Sequence, residues 1–139
     1  MMRAAIVHRP LDATALLAEV ADDAHGASTL FVGTVRNVNS GRDVSGIEYS
    51  AYEAMATAEL QRILAEASER FPGVAVVVEH RLGTLTLQEA SVIVAAAHAH
   101  RAPALDAQRY VVEELKKRVP IWKREHYTDG TREWVGAAS

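Results

Sequence analysis

A chain of 139 residues, 49% of them apolar, can bury one sizeable core, and no linker, repeat or low-complexity segment divides it, so a single domain over residues 1–139 is expected. The formal net charge of −3, from 15 Lys+Arg against 18 Asp+Glu, argues against a general nucleic-acid or membrane-surface binder. The absence of cysteine excludes disulfides, thiolate metal sites and cysteine nucleophiles, and no run of about 18 apolar residues is present to span a bilayer.

The apolar run in Met1 to Pro10 is too short for a signal peptide, and cytoplasmic residence is the expectation. Arg3 to His8 reads as a first strand closed by Pro10. Asp12 can cap a short helix carrying Leu16, Leu17 and Val20 on one face, which ends in the Asp22-Asp23-Ala24-His25-Gly26 cluster. Ser28 to Arg36 is β-branched and apolar, Asn37 to Asp43 has loop chemistry, and Val44 to Tyr52 alternates as a returning strand. Together they predict a hairpin with a mobile connection.

From Glu53 to Phe71, Leu60, Ile63, Leu64, Ala67 and Phe71 follow the stripe of an amphipathic helix packed on a sheet, ended by Pro72-Gly73. Val74 to Arg81 and Ser91 to His100 are near-continuous apolar runs, the signature of buried central strands. Arg101 to Arg118 predicts a second long helix with Leu105, Val111, Val112 and Leu115 inward. Ile121 to Tyr127 and Thr131 to Val135 form a last extended pair turning at Asp129-Gly130. The class is α+β.

Although the chain is acidic overall, Arg101, Arg109, Lys116, Lys117, Arg118, Lys123, Arg124 and Arg132 all fall in its last forty residues, which points to a small anionic ligand. The focus is Lys116-Lys117-Arg118-Val119-Pro120-Ile121-Trp122-Lys123-Arg124-Glu125. Proline disfavours the α conformation in the residue before it, so the helix should stop near Arg118 and the chain continue extended. On one continuous helix Lys116 and Lys123 would be two turns apart, about 10 Å along the axis. A reversal at Pro120 can instead bring both ammonium groups to one ligand, where lysine can bind phosphate, stabilise an oxyanion or act as nucleophile or base. A favourable interaction with the helix dipole alone would account for Lys116, Lys117 and Arg118, but not for Lys123 beyond the helix.

His98 and His100 share a strand face and could form a metal pair, although no third ligand stands at a suitable spacing, and a core histidine with satisfied hydrogen bonds is the plainer reading of His98. His100 and Arg101, where a strand ends and a helix begins, suit a phosphorylated or acidic ligand. Arg36 ends an apolar strand before a loop, where an ordinary surface arginine is the plainer reading. His80-Arg81-Leu82-Gly83 could be a further site or a turn with a structural glycine. No Walker loop, dinucleotide fingerprint or Ser/His/Asp arrangement is found.

Phe31-Val32-Gly33-Thr34-Val35-Arg36-Asn37, Glu48-Tyr49, His80-Arg81-Leu82-Gly83, His98-Ala99-His100-Arg101 and the Lys116 to Glu125 element together resemble the catalytic large subunit of molybdopterin synthase, over nearly the whole chain. The resemblance implies an α/β hammerhead-like α+β fold with an additional small antiparallel β subdomain, and a homodimer that two copies of a small ubiquitin-like sulfur carrier complete to a heterotetramer. It implies sulfur transfer from the carrier's C-terminal Gly-Gly thiocarboxylate to cyclic pyranopterin monophosphate, forming the dithiolene of molybdopterin, with no metal or resident cofactor. The missing cysteines fit that chemistry, since the carrier brings the sulfur.

By position, Lys116 and Lys123 match the family's catalytic lysines, and Arg36, His100 and Arg101 match its substrate pocket. Thr34, Val35, Arg124 and Glu125 match pocket neighbours; Thr34 stands where some relatives carry a lysine. Either lysine could stabilise or transiently bond the reacting centre while the other serves as acid or base. A non-catalytic module that binds the carrier or a phospho-metabolite is the alternative, and it would not need both lysines.

Overall fold

A computed structural model describes residues 1–136 of the chain. Along the chain it contains β1 (Met2–Val7), α1 (Ala13–Glu19), β2 (Ala27–Thr34), β3 (Val38–Asn39), β4 (Arg42–Ala51), α2 (Glu53–Arg70), β5 (Ala75–Arg81), β6 (Gly83–Thr86), β7 (Ala90–His98), α3 (Arg101–Arg118), β8 (Ile121–Tyr127) and β9 (Arg132–Val135). These form two sheets, and the α+β class expected from the sequence holds.

The first sheet has the order β1-β5-β7-β2, with β1 parallel to β5 and the other pairs antiparallel. Its central strands β5 and β7 are the two apolar runs, buried on both faces as such runs require. Val76, Val78, Val94 and Ala96 face α2 and α3, while Ala75, Val77, Ile93 and Ala95 face α1. In α2 the predicted stripe of Leu60, Ile63, Leu64 and Ala67 is buried, and replacing a fully buried side chain such as Ile63 by alanine costs about 2–5 kcal/mol.

The second sheet is built on β4, whose residues Gly46 to Tyr49 pair with both β6 and β8, while β8 continues to β9. Val44, Ile47, Leu85, Ile121 and Tyr127 of this sheet share one core cluster with the helix-facing side of the first.

The structure corrects several expectations. β2 and β4 do not form a hairpin: β2 pairs with β7 at the edge of the first sheet, and β4 belongs to the second. The connection expected to be loop contains a tight hairpin, β3 to β4, turning through Ser40 (φ 49°) and Gly41 (φ 77°), the positive angles that match strand twist in a two-residue turn. Leu105 is 54% exposed, because α3 approaches the sheet closely through Ala104 and Ala107 rather than through a larger side chain. In α1, Leu16 and Val20 are buried and Leu17 is exposed, with Asp12 capping the helix through the Ala15 N–H at 3.1 Å. Gly83 begins strand β6, and β7 ends at His98, short of His100.

Candidate active site

α3 ends at Arg118, as Pro120 demands. Val119 leaves the helix in an extended conformation (φ −80°, ψ 126°), and the Ile121 N–H bonds back to the Val119 carbonyl at 2.8 Å, closing a three-residue turn centred on the proline. Val119 and Ile121 are both buried and anchor the corner from either side. The Arg118 guanidinium bonds Glu59 (2.8 Å) and Glu66 (2.6 and 2.9 Å) on α2, fixing the end of α3 against its neighbour helix. Lys117 is exposed and within 3.5 Å of Glu114. The third cation of the run, Lys116, turns the other way.

Lys116 from α3 and Lys123 from β8 meet on the wall of one cavity of about 230 Å³. Thr34, the last residue of β2, and Arg36 just past it line the same space, as do Gly33, Asn39 and Glu125. Gly33 leaves room for its neighbour on the cavity wall: a Cβ there would lie 2.8 Å from the Val92 side chain on the paired strand. Three cations against one carboxylate give the cavity a formal charge of +2, suited to an anionic ligand.

Burial and the charge on Lys123 hold the Lys116 ammonium below the ordinary lysine range, with Glu113 pulling the other way. A lysine so placed can give up its proton near neutral pH more readily than a surface lysine. Glu125 is buried, and both its oxygens accept from the Asn39 side-chain amide at 2.9 Å while the Tyr127 hydroxyl donates to one of them at 3.1 Å. Its side chain is therefore held in place two residues from Lys123 on the same strand face.

The remaining assigned residues lie elsewhere. Arg124 is on the opposite face of β8, where it bonds Glu48 and lies over the Trp134 ring. Strand alternation requires this once Lys123 and Glu125 face the cavity. The Val35 side chain is packed in the core. His100 and Arg101 open α3, and fifteen residues at 1.5 Å each put Arg101 about 22 Å from Lys116 along the helix axis, so neither lines this cavity. His98 Nε2 donates to the Pro72 carbonyl at 3.0 Å and Nδ1 accepts the His100 N–H at 3.0 Å, so both ring nitrogens are engaged and the pair is not arranged as a chelate. Among the described residues no group of three or more His, Cys, Asp or Glu side chains could hold a metal ion.

Sequence reasoning singled out neither Asn39 nor Ser91, and met Tyr49 only as part of a motif. Tyr49 and Ser91 reach the cavity by pairing of distant strands, which no local spacing reveals. Tyr49 pairs with Lys123 across β4 and β8, and its ring meets His80 edge-on at a centroid distance of 5.2 Å. His80 is buried, and burial pushes its imidazole down to about 4, the Lys116 charge adding to the effect against the opposing Arg81 carbonyl. Its Nδ1 donates to that carbonyl at 2.9 Å, so the neutral ring carries its proton on Nδ1.

The family model described as MoaE protein matches residues 6–118. A molybdopterin synthase catalytic subunit of Halalkalibacterium halodurans is 38% identical over 134 residues, covering 96% of this chain and 85% of that one. A crystal structure of molybdopterin synthase from Staphylococcus aureus superposes with a TM-score of 0.90 at 33% identity, over 95% of this chain and 96% of the other. A structure described as the complex of subunits 1 and 2 of molybdopterin-converting factor from Helicobacter pylori contains a chain that aligns with a TM-score of 0.79 at 25% identity, covering 96% and 90%. With a cationic cavity built around Lys116 and Lys123 on this fold, the chain belongs to the MoaE family, the catalytic subunits of molybdopterin synthase.

Proposed function

We propose that the cavity between Lys116 and Lys123 is where sulfur passes from the C-terminal Gly-Gly thiocarboxylate of a small ubiquitin-like carrier to cyclic pyranopterin monophosphate. Two such transfers make the dithiolene of molybdopterin. The observation that carries this reading is the convergence of the two lysines, one from a helix end and one from the strand beyond Pro120, beside Arg36 in a space of net positive charge. Arg36 holds the substrate's phosphate. Lys123 stabilises or transiently bonds the reacting carbon, and Lys116, whose ammonium loses its proton the more easily, moves protons as acid and base. The chain has no cysteine, so the sulfur comes from the partner.

A chain similar to this one occurs in the two-subunit Helicobacter pylori complex, which supports a small-subunit partner. We extend this to a homodimer of the present chain carrying two carriers, in the cytoplasm. Within it, His100 and Arg101 serve the pocket of the other protomer, because within their own chain they lie about one helix length from Lys116.

The test is reconstitution of purified chain, thiocarboxylated carrier and cyclic pyranopterin monophosphate, followed by assay of molybdopterin, with Lys123→Ala alongside. Product from the intact chain and none from the folded variant is the expected result. Carrier binding without product from the intact chain would overturn sulfur transfer in favour of a binding module.

A further inference from the structure

Tyr49 lines the cavity without having a part in the reaction described above. The chain has four tyrosines, and their surroundings differ. Tyr110 and Tyr127 donate to Glu66 and Glu125, and Tyr52 is exposed. Tyr49 is 9% exposed, and among the described residues no carboxylate or backbone carbonyl accepts its proton. Its hydrogen-bond neighbour is the Ser91 hydroxyl, which itself donates to the Gly33 carbonyl at 3.3 Å and so offers the phenol only a neutral hydroxyl oxygen.

The position of Tyr49 is fixed by two neighbouring strands and one ring. Lys123 is its partner on β8, Gly83 its partner on β6, and His80 meets it edge-on. Gly83 has a φ of +102°, the left-handed backbone that favours glycine where β6 leaves the corner after β5. Directly opposed residues on antiparallel strands have Cβ atoms about 4.5–5.5 Å apart, and Tyr49 and Lys123 both line the one cavity. Burial raises the Tyr49 phenol above its ordinary value and the Glu125 charge adds to this, against the opposing Ser91 hydroxyl. The phenol therefore remains a neutral O–H donor at physiological pH.

The chemistry leaves a place for such a donor. Once the thiocarboxylate sulfur has bonded to the pterin carbon, it joins that carbon to the carrier's acyl carbon as a thioester. Release requires water to add to the acyl carbon, forming a C–O bond, giving one proton to the neutral Lys116 amine and placing negative charge on the acyl oxygen. The acyl C–S bond then breaks with its electron pair going to sulfur, leaving a thiolate on the pterin and a carboxyl group on the carrier, which ionises by losing its proton to solvent. No oxidant or reductant is involved. We propose that Tyr49 is a third catalytic residue of the cavity, its hydroxyl donating to the acyl oxygen of the carrier tail as charge develops there.

This assignment rests on the sulfur-transfer reading of the cavity, and the experiment separates the two. Tyr49→Phe keeps the ring against His80 and removes only the hydroxyl. It is compared with intact chain and Lys123→Ala in single-turnover reactions with thiocarboxylated carrier and cyclic pyranopterin monophosphate, with intact-mass detection of carrier species. The expected result is a turnover rate reduced by about a hundredfold to a thousandfold, KM for the pterin within about twofold, and accumulation of the carrier–pterin thioester. A Tyr49→Phe rate within twofold of the intact chain, with Lys123→Ala inactive, overturns the Tyr49 assignment alone. A raised KM with unchanged turnover also overturns it, since the hydroxyl would then bind substrate without acting on the reaction. Full activity in both variants overturns the site itself.

Discussion

Lys116 and Lys123 face one cavity from either side of the Pro120 turn, and the charge on Lys123 makes the Lys116 ammonium easier to deprotonate. Replacing Lys123 by glutamine removes that neighbouring charge and should return Lys116 toward the ordinary lysine value. Near neutral pH, acylation of Lys116 by a small amine-reactive ester should therefore be faster than that of exposed Lys117 in the intact chain, and should slow in Lys123→Gln, as read by peptide mass spectrometry. Equal labelling rates for Lys116 in the two proteins would contradict the coupling. The same depression has a stability consequence. Between the folded and unfolded Lys116 values the unfolded chain binds more protons, so this lysine's contribution to stability rises with pH and is unfavourable while both states are charged. Lys116→Met should accordingly melt a few degrees higher at neutral pH while losing turnover.

His100 and Arg101 open α3 at the end away from Lys116, and the proposed homodimer is what would bring them to the pocket of the other protomer. Arg101→Ala and Lys123→Ala should each be inactive alone. A mixed dimer of the two retains one pocket with Lys123 from one chain and Arg101 from the other. After random reassortment, half the dimers are mixed and each has one intact site, so activity should recover to about a quarter of the unmutated level. No recovery despite demonstrated subunit exchange would remove His100 and Arg101 from the partner's pocket.

The helix limits and the lysine convergence were legible because both depend on local chemistry: the stripe through Leu60 to Ala67, and a proline that must end α3. Strand pairing was not legible in the same way. Leu30 to Val35 is apolar enough to pair with any strand that offers an apolar face. β7 wins it through eight paired residues of β2, whereas the short segment before β4 closes its own turn at Ser40-Gly41. On α3 the size of Leu105 points inward, yet Ala104 and Ala107 let the helix backbone near the sheet and leave the leucine outside, a closeness of approach that side-chain size does not reveal. Arg124 could have been set aside from sequence alone, since a period of two separates it from Lys123 and Glu125. Tyr49, Ser91 and Asn39 could not have been placed there, because their positions are fixed by register between segments forty or more residues apart or by a turn whose pairing is visible only in the fold.

The acid limb of stability should fall in two steps that separate buried from surface chemistry. His80 is neutral in the folded chain down to about pH 4, whereas an unfolded histidine takes up its proton near 6.5. Its stabilising effect is complete above pH 6.5 and is lost as pH falls toward 4, a change of about 3 kcal/mol. Glu66 and Glu89 behave differently: the Arg118 guanidinium holds Glu66 down to about 2, with the Tyr110 hydroxyl helping, and the Thr86 N–H holds Glu89 down to about 2 with Arg81 helping. Their contribution is complete above 4.5 and is lost as pH falls from there to about 2. Denaturant midpoints measured in half-unit steps from pH 7.5 to about pH 2.5 should therefore show a flatter upper step in His80→Gln with the lower step retained. Arg118→Gln should do the reverse, leaving the upper step and reducing the lower, because the Glu66 carboxylate then titrates near its ordinary value. An unchanged upper step in His80→Gln would mean that another group, and not the imidazole behind Tyr49, titrates between pH 6.5 and 4.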